Sequence, residues 1–171
     1  MSADTGSATG HAGPGRPRLV DQRRQGANPR EEILDAASEL FSSYGYAGTS
    51  TRRIADEVGM RQASLYHHFG TKDDILAALL QTTVEASLLR ARELLDADGS
   101  ALDRLVELAR FDVTQLAASR WNLGALYLLP EIRAPRFAEF RDARTELADG
   151  YETLATETLG DPEDTRALLP F

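Results

Sequence analysis

Five polar side chains crowd one short stretch of the chain: Gln62, Ser64, Tyr66, His67 and His68. Leu65 and Phe69 share that stretch at helical spacing and point the other way, which leaves the five on an outward face. A Gln amide matches the donor and acceptor on the major-groove edge of adenine, Ser serves a phosphate or a base, and Tyr donates to a phosphate while its ring packs. Arg52 has the reach and charge for a guanine edge, and Thr51 and Lys72 stand at helix starts, where backbone phosphates bind. The chemistry on offer is therefore recognition of base edges along a polyanion. Metal chemistry is not expected, because neighbours such as His67 and His68 point ~100° apart on a helix and no His, Cys or carboxylate follows one turn later. The absence of Cys excludes disulfides, thiolate metal sites and cysteine nucleophiles. No Gly-rich phosphate loop or Gly-x-Ser-x-Gly is present, the remaining histidine is His11, and Glu131, Glu139 and Asp142 read as ordinary helix-face acids, so neither an enzyme nor a cofactor is expected.

The elements that must carry these residues are helices. Asn28 as N-cap, Pro29 at the first helical position and Glu31 at the capping-box position open the first, and Ile33, Leu34, Ala37, Leu40 and Phe41 form its apolar stripe up to a stop at Gly45. A second helix runs from near Ser50 to Val58, with Ile54 and Val58 inward and Arg52 and Arg53 outward. Gly59-Met60 forms the turn, and a third helix is predicted over about Gln62 to Phe69. The second and third helices make a helix-turn-helix locked through Ile54, Val58 and Leu65, whose second helix is pushed outward toward a groove. Thr71 with Asp74 opens a long fourth helix to about Leu95.

Beyond that point the pattern stays helical. After a turn at Asp98-Gly99-Ser100, the residues Leu102, Leu105, Val106, Ala109, Val113 and Leu116 read as one long apolar stripe. Trp121 to Leu129 is a short apolar segment stopped by Pro130, and a further helix is lined by Phe137, Phe140, Leu147, Tyr151, Leu154 and Thr158. No alternating strand pattern of useful length is found, so the expected fold is all-α.

Charge divides the 171 residues unevenly. Of the net −8, residues 1–28 contribute four Arg against two Asp, residues 29–72 five basic against six acidic groups, and residues 73–171 ten against nineteen. The acidity sits away from the polar face, and affinity for DNA follows local cations rather than the sum. Residues 1–27 are rich in Gly, Ser, Ala, Pro and Arg and are expected to be a disordered basic arm. Within it, Pro14-Gly15-Arg16-Pro17-Arg18 fits either a minor-groove contact of the AT-hook type or a solvated tail. No apolar run approaches the ~18–20 residues that span a bilayer. The first fifteen residues lack the apolar centre of a signal peptide, so the expected location is the cytoplasm, with no membrane partner.

Thr49-Ser50-Thr51-Arg52-Arg53-Ile54-Ala55-Asp56-Glu57-Val58-Gly59, then Ala63-Ser64-Leu65-Tyr66-His67-His68-Phe69, then Thr71-Lys72-Asp73-Asp74-Ile75-Leu76 resembles the DNA-binding domain of the TetR family of transcriptional regulators. The likeness covers roughly residues 29–80, and its most distinctive stretch is Leu-Tyr-His-His-Phe followed closely by Lys. The resemblance implies a three-helix DNA-binding domain (residues 28–72) and a larger helical domain (residues 73–171) that binds a small molecule and dimerises. Carried over position by position, it implies DNA contacts from Thr51, Arg52, Gln62, Ser64, Tyr66, His67, His68 and Lys72, with Ala63 at a position that meets a base or a thymine methyl. The implied partners are double-stranded DNA with a palindromic operator, a second copy of the chain and a small-molecule effector, and the implied outcome is repression.

In residues 73–171 the expected pocket linings are Phe111, Trp121, Tyr127 and Phe137, beside Leu126 and Phe140. Plain core is the competing reading for each, since aromatic residues at helical spacing pack. Trp121 stands out because its N–H needs a partner, with Arg120 or Asn122 as a polar handle. Members of the family continue past this length and build much of their dimer interface from two last helices, of which Asp164 to Phe171 would be only an opening. The alternatives are a shortened copy or dimerisation through the Phe137–Thr158 helix. A DNA-binding architectural factor without ligand control is the second functional reading.

Overall fold

The computed structural model describes residues 26–168, and all regular elements among them are helical. The expected arm, with its Arg-Pro segment, lies outside the described residues except for Gly26 and Ala27. Six α-helices follow in order: α1 (Pro29–Tyr44), α2 (Thr51–Val58), α3 (Gln62–Tyr66), α4 (Lys72–Leu95), α5 (Ala101–Ala118) and α6 (Ala138–Leu159). Three 3₁₀ turns, Leu123–Leu128, Pro130–Arg133 and Pro135–Phe137, link α5 to α6, and a fourth, Thr165–Leu168, follows α6.

Local capping places the first boundaries. The Asn28 side chain accepts from the Glu31 N–H at 3.1 Å, and the Glu31 carboxylate accepts from the Ala27 N–H at 2.7 Å. Ser50 accepts from the Arg53 N–H at 3.2 Å, and Thr71 and Asp74 exchange their capping bonds at 3.1 and 2.8 Å. Gly59 closes α2 in the left-handed region at φ 75°, where a Cβ would be strained, while Met60 donates back to the Ala55 carbonyl at 2.9 Å. At Gly48 the constraint is space, because a Cβ there would stand 2.4 Å from the Tyr44 carbonyl oxygen.

One continuous core runs through the molecule. Ile33, Ala37, Leu40 and Phe41 of α1 meet Ile54 and Val58 of α2, Leu65, Phe69, and the first turns of α4 at Ile75, Leu76 and Leu79. Along the same α4, Val84, Leu88, Ala91 and Leu94 carry the core on to Leu108, Leu147, Tyr151 and Leu154. Burying a side chain of this size contributes roughly 1.5–3 kcal/mol, so α4 is the beam that joins both halves. The expected division near residue 72 falls at the very start of that helix.

Four expectations need correction. The third helix ends at Tyr66 rather than Phe69: the His67 and His68 N–H groups bond three residues back, to Ser64 at 3.2 Å and Leu65 at 2.9 Å, in a tightened last turn ahead of Gly70. The stripe read along α5 is largely its outer side, with Leu102 52% and Val113 65% exposed. Leu108 is the fully buried residue of that helix, and the inward side also carries Asp112, held by the Ser87 hydroxyl at 2.7 Å. The stretch from Trp121 to the start of α6 forms no α-helix, because Pro130 and Pro135 divide it into successive 3₁₀ turns. Residues 165–168 make a single 3₁₀ turn in place of the helix expected to open at Asp164.

Candidate nucleic-acid interface

Ile54 and Leu65 are fully buried and Val58 nearly so, and they lock α2 to α3 as the spacing required. With only five residues and no capping side chain, α3 depends on Leu65 and on the turn that follows for its position. The lock turns Ala63, Ser64, Tyr66, His67 and His68 to the exterior, with Gln62 half-buried beside Thr51.

Three of the expected contact residues are wired together. Gln62 Nε2 donates to Thr51 Oγ1 at 2.9 Å, Thr51 Oγ1 and the Tyr66 hydroxyl share a bond of 3.1 Å, and Gln62 Nε2 lies 3.4 Å from the same hydroxyl. Thr51 is the hub: one hydroxyl at the start of α2 fixes a side chain at each end of α3. Such a triangle gives the Gln62 amide nitrogen an internal partner before any ligand arrives.

The cations around this face fall into two sorts. Arg52 is free to reach outward, its side chain 80% exposed and only loosely paired with Asp56 at 4.0 Å. Arg61, the residue before α3, is also exposed and was not anticipated; its place in the turn between two locked helices was the available signal. Arg53 instead lies over the Tyr44 ring at 3.6 Å and Arg30 over Phe69 at 4.8 Å. Lys72, expected at a phosphate, is turned inward: its Nζ donates to the carbonyls of Tyr46 and Thr49 at 2.8 and 2.9 Å and sits 4.0 Å above the Tyr46 ring. Two of its three donors therefore hold the α1–α2 loop against α4.

That loop is also joined to the rest of the chain. The Tyr46 hydroxyl donates to Asp73, which is paired in addition with Arg136 of the Pro135–Phe137 turn. Burial first, and then the Asp73 carboxylate, push the Tyr46 phenol well above its ordinary value. A second tie leads from the Trp121 indole N–H to Asp35 of α1 at 3.3 Å. Thus the segment between α5 and α6 is tied to α1 and to the first turn of α4, the two helices that flank the helix-turn-helix.

The four aromatic residues expected to line a pocket part company. Tyr127 lines a cavity of about 220 Å³ with Thr83, Val84, Asp112, Leu116, Arg144 and Leu147. Phe111 lies along an open groove between α4 and α5 and along a second one on the outer side of α5 itself. Trp121 is half-buried and directs its N–H to Asp35, while the Arg120 guanidinium lies over its ring at 4.8 Å. Phe137 is 2% exposed and belongs to the core. Among the described residues no helix is long and apolar enough to cross a membrane, and no group of three potential metal ligands occurs.

Comparison with known proteins places these features. The family described as bacterial regulatory proteins, tetR family, matches residues 33–79. The crystal structure of AmtR from Mycobacterium smegmatis is 57% identical with a TM-score of 0.83, over 88% of this chain and 74% of that one. The HTH-type transcriptional repressor KstR2 of Mycobacterium tuberculosis is 36% identical over 76 residues, which are 44% of this chain and 38% of KstR2. The nucleoid occlusion factor SlmA of Vibrio campbellii is 34% identical over 79 residues, 46% of this chain and 40% of that protein. The matches span less than half the length of these two relatives.

Proposed function

This chain belongs to the TetR family of bacterial regulatory proteins, and from that premise we propose that it is a sequence-specific DNA-binding transcriptional regulator of the cytoplasm. It acts as a homodimer on a palindromic operator and represses until a small molecule binds. The observation that supports this most is the outward triangle of Thr51, Gln62 and Tyr66 on a locked helix-turn-helix, flanked by the exposed Arg52 and Arg61. In this reading α3 enters the major groove, Gln62 and Ser64 face base edges, Ala63 packs toward a base, and Tyr66, His67 and His68 meet the sugar–phosphate walls. Lys72 has one donor left for a phosphate after its two internal bonds.

The regulatory step has a physical route. Tyr127 faces the cavity, and the segment that carries it also bears Trp121, tied to Asp35, and Arg136, tied to Asp73. A molecule that displaces this segment changes the angle between α1 or α4 and the helix-turn-helix unit, and so the spacing of two such units in a dimer. It acts only through its differential affinity for the two arrangements. The name of SlmA, a nucleoid occlusion factor, supports the second reading, a DNA-binding architectural factor without ligand control.

Salt dependence tests the DNA reading. Two exposed arginines per protomer, four per dimer, predict a slope of log K against log salt of about −3.6, at ~0.9 per neutralised phosphate, or steeper with further contacts. The slope is read by fluorescence anisotropy of the full chain with labelled duplex. Affinity indifferent to salt would refute the reading.

A further inference from the structure

The 220 Å³ cavity among α4, α5, α6 and the Leu123–Leu128 turn carries opposite charges on its lining, Asp112 from α5 and Arg144 from α6. An inward carboxylate on a packed helix is unfavourable unless its charge is satisfied. Here the fully buried Ser87 donates to one oxygen at 2.7 Å and the buried Tyr151 hydroxyl lies 3.4 Å from the other. The same carboxylate contributes to raising the Tyr151 phenol, after burial itself. The Arg144 guanidinium is oriented over the Tyr127 ring at 4.6 Å, and the Tyr127 hydroxyl donates to Thr83 at 2.5 Å, so the cationic side is held as firmly as the anionic one. Val84, Leu116 and Leu147 make up the apolar wall.

From this lining we infer that the cavity binds a small zwitterion, an α-amino acid with a short apolar or neutral side chain. The inference rests on the reading of residues 73–171 as an effector-binding region and names its ligand class. Asp112, with lone pairs left beyond its two donors, receives the ammonium group, and Arg144 receives the carboxylate in a forked contact. Size limits the side chain. At ~30 Å³ per water the cavity holds about seven waters, which matches the roughly seven to nine heavy atoms of a short-chain amino acid. Occupancy presses on Tyr127, and so on the segment that ties to Asp35 and Asp73.

The experiment is a thermal-shift panel of the twenty common amino acids against the full chain, followed by calorimetric titration of the hits. Duplex DNA binding is measured in parallel on the same samples. One or more short-chain amino acids should raise Tm by about 5–10 °C at a hundredfold excess over Kd. The matching amine without carboxylate and the matching acid without amine should each bind at least ~10-fold more weakly, the loss of one charged contact. Asp112→Asn and Arg144→Gln should lose the shift. If either fails to fold, Leu116→Trp, at a partly exposed edge of the cavity, fills the space without altering charge and should abolish binding too. A chain that binds duplex DNA but shifts with no amino acid overturns the inference and leaves the DNA reading intact. Equal binding of the simple amine overturns it in favour of a monocation. Amino-acid binding by a chain without DNA affinity would support the cavity assignment while the DNA reading fails.

Discussion

Replacing Gln62 with Ala removes an amide that has an internal partner before it meets DNA. A bidentate contact with adenine needs both the oxygen and the nitrogen of the amide and discriminates against the wrong base by ~1–3 kcal/mol. In the free protein the nitrogen donates to Thr51 at 2.9 Å. Turning it to adenine N7 gives up a neutral hydrogen bond worth ~0.5–1.5 kcal/mol. The difference leaves Gln62→Ala relaxing one operator position by about 1 kcal/mol, near fivefold, with smaller effects elsewhere in the site. The same arithmetic has a sharper consequence. Thr51→Val keeps the shape of the hub and deletes its hydroxyl, so Gln62 keeps only the longer 3.4 Å contact with the Tyr66 hydroxyl, and discrimination at that base should rise toward ~2 kcal/mol, about thirtyfold. Competition anisotropy against an operator and all its single-base variants measures both. Two results refute the reasoning: Gln62→Ala weakening every duplex equally, which would mean no base is read, or Thr51→Val lowering discrimination at the Gln62 base, which would mean that the triangle orients the amide rather than competing for it.

Three other perturbations follow from the packing. Lys72→Met leaves the Tyr46 and Thr49 carbonyls without their donor and should lower unfolding stability by roughly 2 kcal/mol in urea titrations without DNA, whereas an unchanged midpoint would return Lys72 to a purely phosphate-binding role. Leu65→Ala empties the fully buried anchor of an uncapped helix, and about 3–5 kcal/mol should be lost in the same assay; a loss under ~1 kcal/mol would show that α3 is held by something else. The raised Tyr46 phenol contributes stability that is complete below the ordinary tyrosine value of 10.0 and declines as pH rises beyond it toward the folded value. Thermal unfolding between pH 8 and pH 11 should therefore show an alkaline decline that Tyr46→Phe reduces, with Tyr127 and Tyr151, also raised, supplying the remainder. No change in the decline on Tyr46→Phe would contradict the burial of that hydroxyl against Asp73.

Helix caps that depend on neighbouring residues could be read from the sequence. Asn28, Ser50 and Thr71 cap three helices through bonds that reach three residues along the chain, so their residue types announce them. The lock of Ile54, Val58 and Leu65 follows from helical periodicity in the same way. Partners that lie far apart in the chain could not be read. Lys72 reaches carbonyls 23 and 26 residues away, and Trp121 finds Asp35 at a separation of 86. The face of α5 was misjudged because that helix is apolar on two sides, Leu102, Val106 and Val113 on one and Leu105 and Leu108 on the other, and only tertiary packing selects between them. Asp112 is one acid among many along the chain, and the hydroxyls that make it a cavity residue come from α4 and α6.

The central claim is that α2 and α3 read a two-fold DNA site, and selection of the full chain on random duplex DNA, with the mass of the bound species determined, tests it most directly. The account predicts enrichment of an inverted repeat whose half-sites lie about one helical turn, ~34 Å, or a multiple of it apart, carried by a complex of two protomers. Recovery of an unenriched pool, or of a single unpaired half-site held by one protomer, would contradict it.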